Sequence, residues 1–140
     1  MRAELDFRES NNCIVTVNME HALYHELTWN QNADWPHSIV IRLAIENFLR
    51  GYLSQYRNPS PSNLFAQPLK HQMSCWLPKS FYDTIAACAK AYDRSVSEVV
   101  RAMLRETFWI IENPYGDYLR SKYAEIAAKE PKAYKPFTRP

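Results

Sequence analysis

His21 and His25 stand four residues apart, the spacing at which two imidazoles on one helix face can share a metal ion. Leu23 and Leu27 mark the buried face of that same stretch, which turns both histidines outward, and no Cys or acidic residue falls in an obvious third position. The expectation is therefore no metal site and no cofactor. Cys75 and Cys88 occupy apolar positions, where a cysteine behaves as a small buried hydrophobe, and Cys13, at the end of a strand pattern, has no evident base beside it. The sequence holds no Gly-rich phosphate loop, no nucleophile elbow, no HExxH and no CxxC. No catalytic residue is assigned and no enzyme is expected. What remains is a set of hydrogen-bonding side chains at alternate positions, Thr16 and Asn18 in one stretch and Gln72 and Ser74 in another.

The elements that would position them follow from periodicity. From His71, Met73, Cys75 and Leu77 fall on one face of an extended segment and Gln72, Ser74 and Trp76 on the other, the period-two pattern of a half-buried strand. Pro78 lacks a backbone donor, so it stops the ladder and suits the first turn of a helix. Phe81, Ile85 and Cys88 recur at helical spacing, which predicts an amphipathic helix over residues 79 to 91. Ser95 and Glu98 form an S-x-x-E capping box opening a second helix. That helix carries Val96, Val99, Val100, Met103, Leu104 and Phe108 and is apolar over most of its circumference, so it belongs in the middle of a core. One strand and two helices in about forty residues cannot close a core alone.

A second copy precedes it. Val15, Val17 and Met19 alternate with Ile14, Thr16 and Asn18; Leu23 and Leu27 mark one helix, and Ile41, Leu43, Ile45, Phe48 and Leu49 a strongly apolar one. A shift of 58 superposes Tyr24 on Tyr82 and Leu27 on Ile85, and a shift of 59 superposes Ser38 on Ser97 and Arg42 on Arg101. An internal repeat with matched strand, helix and arginine positions carries more weight than either half. Glu20 stands where the second copy has Pro78, and Pro36 where it has Ser95.

Both copies resemble the ribbon-helix-helix fold of the MetJ/Arc family, and SVSEVVR at Ser95 to Arg101 is close to that family's second-helix signature. The resemblance covers residues 13 to 52 and 71 to 108, and two copies in one chain are similar to the tandem arrangement of TraY-type proteins. It implies a mainly α protein with a short two-stranded antiparallel ribbon: a tandem ribbon-helix-helix pseudodimer plus a C-terminal helix. Residues 1–140 then form a single domain, with a first repeat at 13–52, a linker at 53–70, a second repeat at 71–112, and a C-terminal helix and basic tail at 113–140. The family's partner is double-stranded DNA, read by the ribbon in the major groove. Carried over by position, the base-reading residues are Ile14, Thr16, Asn18, Gln72, Ser74 and Trp76. Asn and Gln can pair with adenine, Ser and Thr with several base edges, and an apolar group can meet a thymine methyl. Ile14 and Trp76 depart from the arginine or lysine the family often places nearby. The phosphate-contacting positions lie at the N-termini of the second helices, at His37 and Ser38 in the first repeat and Arg94, Ser95, Val96 and Ser97 in the second, where backbone donors and the helix dipole face an anion. Arg42 and Arg101 serve either phosphates or internal ion pairs. In this alignment the strands pair about Thr16 and Ser74, so partner numbers sum to ninety.

Composition fits a DNA binder unevenly. The net charge is +2, but residues 1 to 50 hold four Lys/Arg against seven Asp/Glu, a net of −3. Phosphate neutralisation supplies much of a DNA binder's affinity, so an acidic first repeat counts against that reading. Two glycines suit a helical chain with few tight turns. No apolar run approaches a membrane span, the start MRAELDFRES does not read as a signal peptide, and three cysteines without a paired framework point to a reducing cytoplasm. Residues 1 to 12 read as a loose terminus or an arm. Residues 51 to 70 hold three prolines and a Ser/Asn cluster, as a linker does, with Leu64 and Phe65 apt to pack on the body. Tyr118, Leu119, Tyr123 and Ile126 describe a further helix with Asp117 as its cap, which either covers the bundle or docks a partner. KEPKAYKPFTRP mixes four basic residues with two aromatics and reads as an extended tail. Function is thus expected to be sequence-specific DNA binding, as a transcriptional repressor or plasmid DNA-processing accessory, with possible self-association along DNA. The rival is a protein-interaction module on the same scaffold that has lost DNA binding.

Overall fold

The computed structural model describes residues 12–29, 37–51 and 67–129. Seven elements follow in order: β1 (Asn12–Met19), α1 (His21–Trp29), α2 (His37–Arg50), β2 (His71–Pro78), α3 (Lys79–Ala91), α4 (Val96–Trp109) and α5 (Gly116–Lys129). Among the described residues the protein is thus mainly helical, with one two-stranded antiparallel sheet. The N-terminal arm, Pro36, the linker residues Leu64 and Phe65, and the tail beyond Lys129 lie outside the described residues.

The strands pair with Ile14 opposite Trp76, Val15 opposite Cys75, Thr16 opposite Ser74, Val17 opposite Met73 and Asn18 opposite Gln72, so partner numbers sum to ninety, the register that the family resemblance implies. Burial is what fixes this register. Val15, Val17, Met19, Met73, Cys75 and Leu77 are all buried on one face, and a slip of one residue would turn that apolar set to solvent. Pro78 remains in the ribbon as its last residue, opposite Asn12, and caps α3 from the N-cap position instead of entering its first turn.

Under the ribbon α2 and α4 pack on one another, α2 also lying against β2 and α4 against β1. Their facing side chains, among them Ile41, Ile45, Phe48, Val99, Val100, Met103 and Leu104, form one continuous core with the inward strand residues. The offsets seen in the sequence hold in space: α3 begins 58 residues after α1, and α4 begins 59 after α2. Ser95 caps α4 as predicted, its Oγ accepting the Glu98 N–H at 3.0 Å while its own N–H donates to the Glu98 carboxylate at 2.9 Å.

Two departures from the periodic reading have local causes. The second repeat, bounded at residue 112 in the sequence, does not stay helical to that point; α4 ends at Trp109 because Ile110 turns left-handed, with φ 49°, and its N–H closes back on the Glu106 carbonyl at 2.9 Å. Asp117 does not cap α5 but sits inside its first turn. The turn before the helix is held instead by Asn113, whose Oδ1 accepts the Tyr115 N–H at 2.9 Å. α5 covers the bundle, lodging against α2 and α3 with Leu119 and Tyr123 buried. Arg120 fastens it: its Nε donates to the Phe48 carbonyl at 3.1 Å, its Nη2 to Glu106 at 3.2 Å, and its guanidinium lies 4.4 Å from the centre of the Phe48 ring. No helix among the described residues is long and apolar enough to cross a membrane.

Candidate nucleic-acid interface

The outer face of the ribbon presents Ile14, Thr16, Asn18, Gln72, Ser74 and Trp76 together, all exposed, because each alternates with a buried neighbour. They form three cross-strand pairs. At the centre Thr16 Oγ1 and Ser74 Oγ lie 2.9 Å apart. At one end Gln72 Nε2 donates to Asn18 Oδ1 at 3.1 Å, which leaves one hydrogen on the Gln72 nitrogen, two on the Asn18 nitrogen and the Gln72 oxygen for an external partner. At the other end Ile14 and Trp76 face one another, 54% and 44% exposed, the two most solvent-exposed large apolar side chains of the described strands.

The helix N-termini flank this face, but the residues there are not equally available. The Ser97 Oγ accepts the Asn18 N–H at 3.1 Å, which ties the start of α4 to β1 and leaves its O–H to donate. Arg101 donates to the Asn18 carbonyl at 2.7 Å and is only 9% exposed, so it is a structural brace between α4 and β1. Burial pulls its guanidinium below the ordinary arginine range, and neighbouring Arg105 adds to the effect. Ser95 is committed to the capping box at both its N–H and its Oγ. That N–H, with Arg94 nearby, also holds the Glu98 carboxyl below its usual range. What remains for an anion is the Arg94 guanidinium, exposed and only loosely paired with Glu98 at 3.8 Å, the Ser97 O–H, and the first-turn backbone donors of Val96 and Ser97 that any α-helix leaves without a helical acceptor. In the first repeat His37 and Ser38 open α2, with Ser38 half-buried.

The acidity of the first repeat is not displayed among the described residues. Glu20, Glu26 and Glu46 are 0%, 8% and 7% exposed, and the other four acidic residues of that half fall outside the described residues. Glu20 receives a two-pronged bond from Arg105, at 2.9 and 3.1 Å, across 85 residues of sequence. Glu46 pairs with Arg50 at 3.4 Å, yet burial outweighs Arg50 and Arg42 and raises its carboxyl above the usual range. Burial likewise pushes the Cys75 thiol up to about 12 and Cys88 to about 11, as suits inert core cysteines.

One grouping escaped the sequence reading. His21 Nδ1 lies 3.1 Å from His71 Nε2, and the His71 ring stacks on Tyr24 with centroids 3.9 Å apart and planes 5° from parallel. Residues fifty apart in the chain meet here because β2 starts beside the N-terminus of α1, a juxtaposition that helical spacing within one repeat cannot reveal. No family model, curated protein or solved structure matches the chain.

Proposed function

We propose that the protein is a tandem ribbon-helix-helix pseudodimer that binds double-stranded DNA sequence-specifically, with the outer face of the β1–β2 ribbon in the major groove. The reading rests on one observation: six alternate side chains, including two amides and two hydroxyls, form an exposed outer face on a two-stranded antiparallel ribbon whose inner face is buried. A ribbon of this kind fits the major groove, where each base pair presents a distinct set of donors and acceptors. The flanking N-termini of α2 and α4 supply phosphate contacts, with Arg94 beside one of them. The role that follows is a cytoplasmic transcriptional repressor or an accessory protein of plasmid DNA processing, able to self-associate along DNA.

The Ile14–Trp76 pair favours a second reading, a scaffold that docks another protein through the apolar end of its ribbon. Fluorescence anisotropy of labelled duplex pools at increasing salt separates the two. DNA binding through two helix N-termini predicts a log–log slope on the order of −4, from about two phosphates at each. Binding that is absent, or insensitive to salt, removes the DNA reading and leaves the docking one.

A further inference from the structure

We propose that His21 and His71 form a chelating site for a divalent transition-metal ion of the zinc, nickel, cobalt or copper class. The site lies where the first residue of β2 meets the first residue of α1. This rests on the side-chain geometry and is independent of the DNA reading.

The two facing nitrogens are 3.1 Å apart. With the exposed His21 ring turned so that its nitrogen aims off the His71 axis, an ion bound to imidazole at about 2.0–2.1 Å from each would subtend an angle of about 95–102° between them, which lies between the octahedral and tetrahedral values. Imidazole is a ligand for these borderline ions and not for magnesium or calcium. His71 is already held, its ring stacked on Tyr24, so its lone pair loses little freedom on binding. His21 is exposed, which leaves the remaining coordination positions open to water. His25 stands one turn along α1, its ring centre 6.2 Å from that of His21, within reach of a third position by side-chain rotation. Among the described residues no three His, Cys, Asp or Glu side chains are grouped as a ready-made site, so the affinity belongs to a two-imidazole chelate and not to a closed structural centre.

In the metal-free protein one proton bridges the two rings. Binding replaces it: each facing nitrogen gives its lone pair to the ion, and the bridging proton moves through solvent to the far nitrogen of its own ring, so two neutral imidazoles remain. The other end of the ribbon serves as an internal control. The offset of 58 that relates the repeats places Lys79 at the position of His21 and Cys13 at that of His71. One site per chain is therefore expected. An ion there staples β2 to α1 immediately beside Gln72 and fixes the amide end of the ribbon.

The test is calorimetric titration of the intact chain with zinc chloride and nickel chloride at neutral pH, paired with histidine side-chain NMR. Saturable binding of one equivalent in the micromolar range is expected. Substoichiometric nickel, which is paramagnetic, should broaden the His21 and His71 ring signals before any other histidine. His21→Ala and His71→Ala should each weaken binding at least tenfold, and His25→Ala by less. His71→Phe keeps a ring on Tyr24 without a nitrogen, so it should lose binding while the metal-free melting temperature is retained. Absence of saturable binding to the wild-type chain, or wild-type affinity in folded His21→Ala or His71→Phe, overturns the proposal.

Discussion

At one end of the ribbon Asn18 faces Gln72 and His21 lies 3.1 Å from His71; at the other Ile14 faces Trp76, and Lys79 and Cys13 stand at the positions matching the two histidines. The same contrast runs below the ribbon. Glu20 precedes α1, its carbonyl accepting the Tyr24 N–H, and its side chain is buried against Arg105, whereas Pro78 caps α3 and the residue matching Arg105 is Glu46, itself buried. The inward positions are apolar in both copies because a shared core demands it. The outward and cap positions have diverged, because each copy can satisfy a polar or apolar neighbour there without disturbing the other. A homodimer cannot vary its two halves in this way. In this chain the ribbon has two chemically distinct ends.

The largest expected effect comes from separating the copies. Inward residues of both strands and of α2 and α4 belong to one core, so each half alone lacks the other wall of it. Cutting the chain between Gly51 and Gln67 should leave two fragments that stay associated, and either one expressed alone should be unfolded or self-paired. A stable monomeric fold of residues 1–58, seen by circular dichroism and sedimentation, contradicts the shared core.

Next is the unequal pair of buried acids. Arg105→Ala strands the Glu20 carboxylate, which has no exposure, and should cost about 3–5 kcal/mol in urea unfolding. Glu46→Gln should be close to neutral or mildly stabilising at pH 7. Burial raises the folded-state carboxyl above its unfolded value, so ionisation opposes folding as pH rises through that range, and an amide avoids the penalty. Equal losses in the two variants would erase the contrast.

On DNA the two ends should report separately. Asn18→Ala and Gln72→Ala are each expected to relax base preference at one end of the bound site, by about 1–3 kcal/mol where a paired contact is lost. Trp76→Ala should relax the other end and leave the first intact.

These contrasts differ in how far the sequence discloses them. The buried face of the ribbon was legible because Val15, Val17, Met73 and Cys75 alternate with polar neighbours; the register within that face came from the family resemblance. The start of α4 was legible because Ser95 and Glu98 bond within one turn. Long-range polar contacts were not. Nothing in the spacing of Glu20 and Arg105, or of His21 and His71, says that they meet, since those contacts are made by the packing of one copy on the other. Ser97 carries a contact of the same kind: besides standing at the start of α4, its hydroxyl oxygen accepts the Asn18 N–H of the facing strand, which spacing within one copy does not disclose. The left-handed Ile110 was hidden by its own side chain, since a β-branched residue is poorly suited to positive φ.

The smallest effect is electrostatic. Backbone donation from Ser95 holds the Glu98 carboxyl below its unfolded value, so the stability it contributes is present above about pH 4.5 and is lost as pH falls through the lower folded value. Glu98→Gln should lower stability slightly at neutral pH, change little at low pH, where the carboxyl is already protonated, and so flatten the acid limb of the stability profile. An acid limb unchanged by the substitution would mean that Glu98 does not supply it.

The most direct test of the ribbon as a DNA-reading surface is selection of duplexes from a random pool by the intact chain, followed by sequencing. The account predicts one enriched site whose two halves differ. The half read by Asn18 and Gln72 should lose its preference in the Gln72→Ala variant while the other half keeps it. No enrichment, or a perfectly palindromic site bound by a single chain, would contradict it.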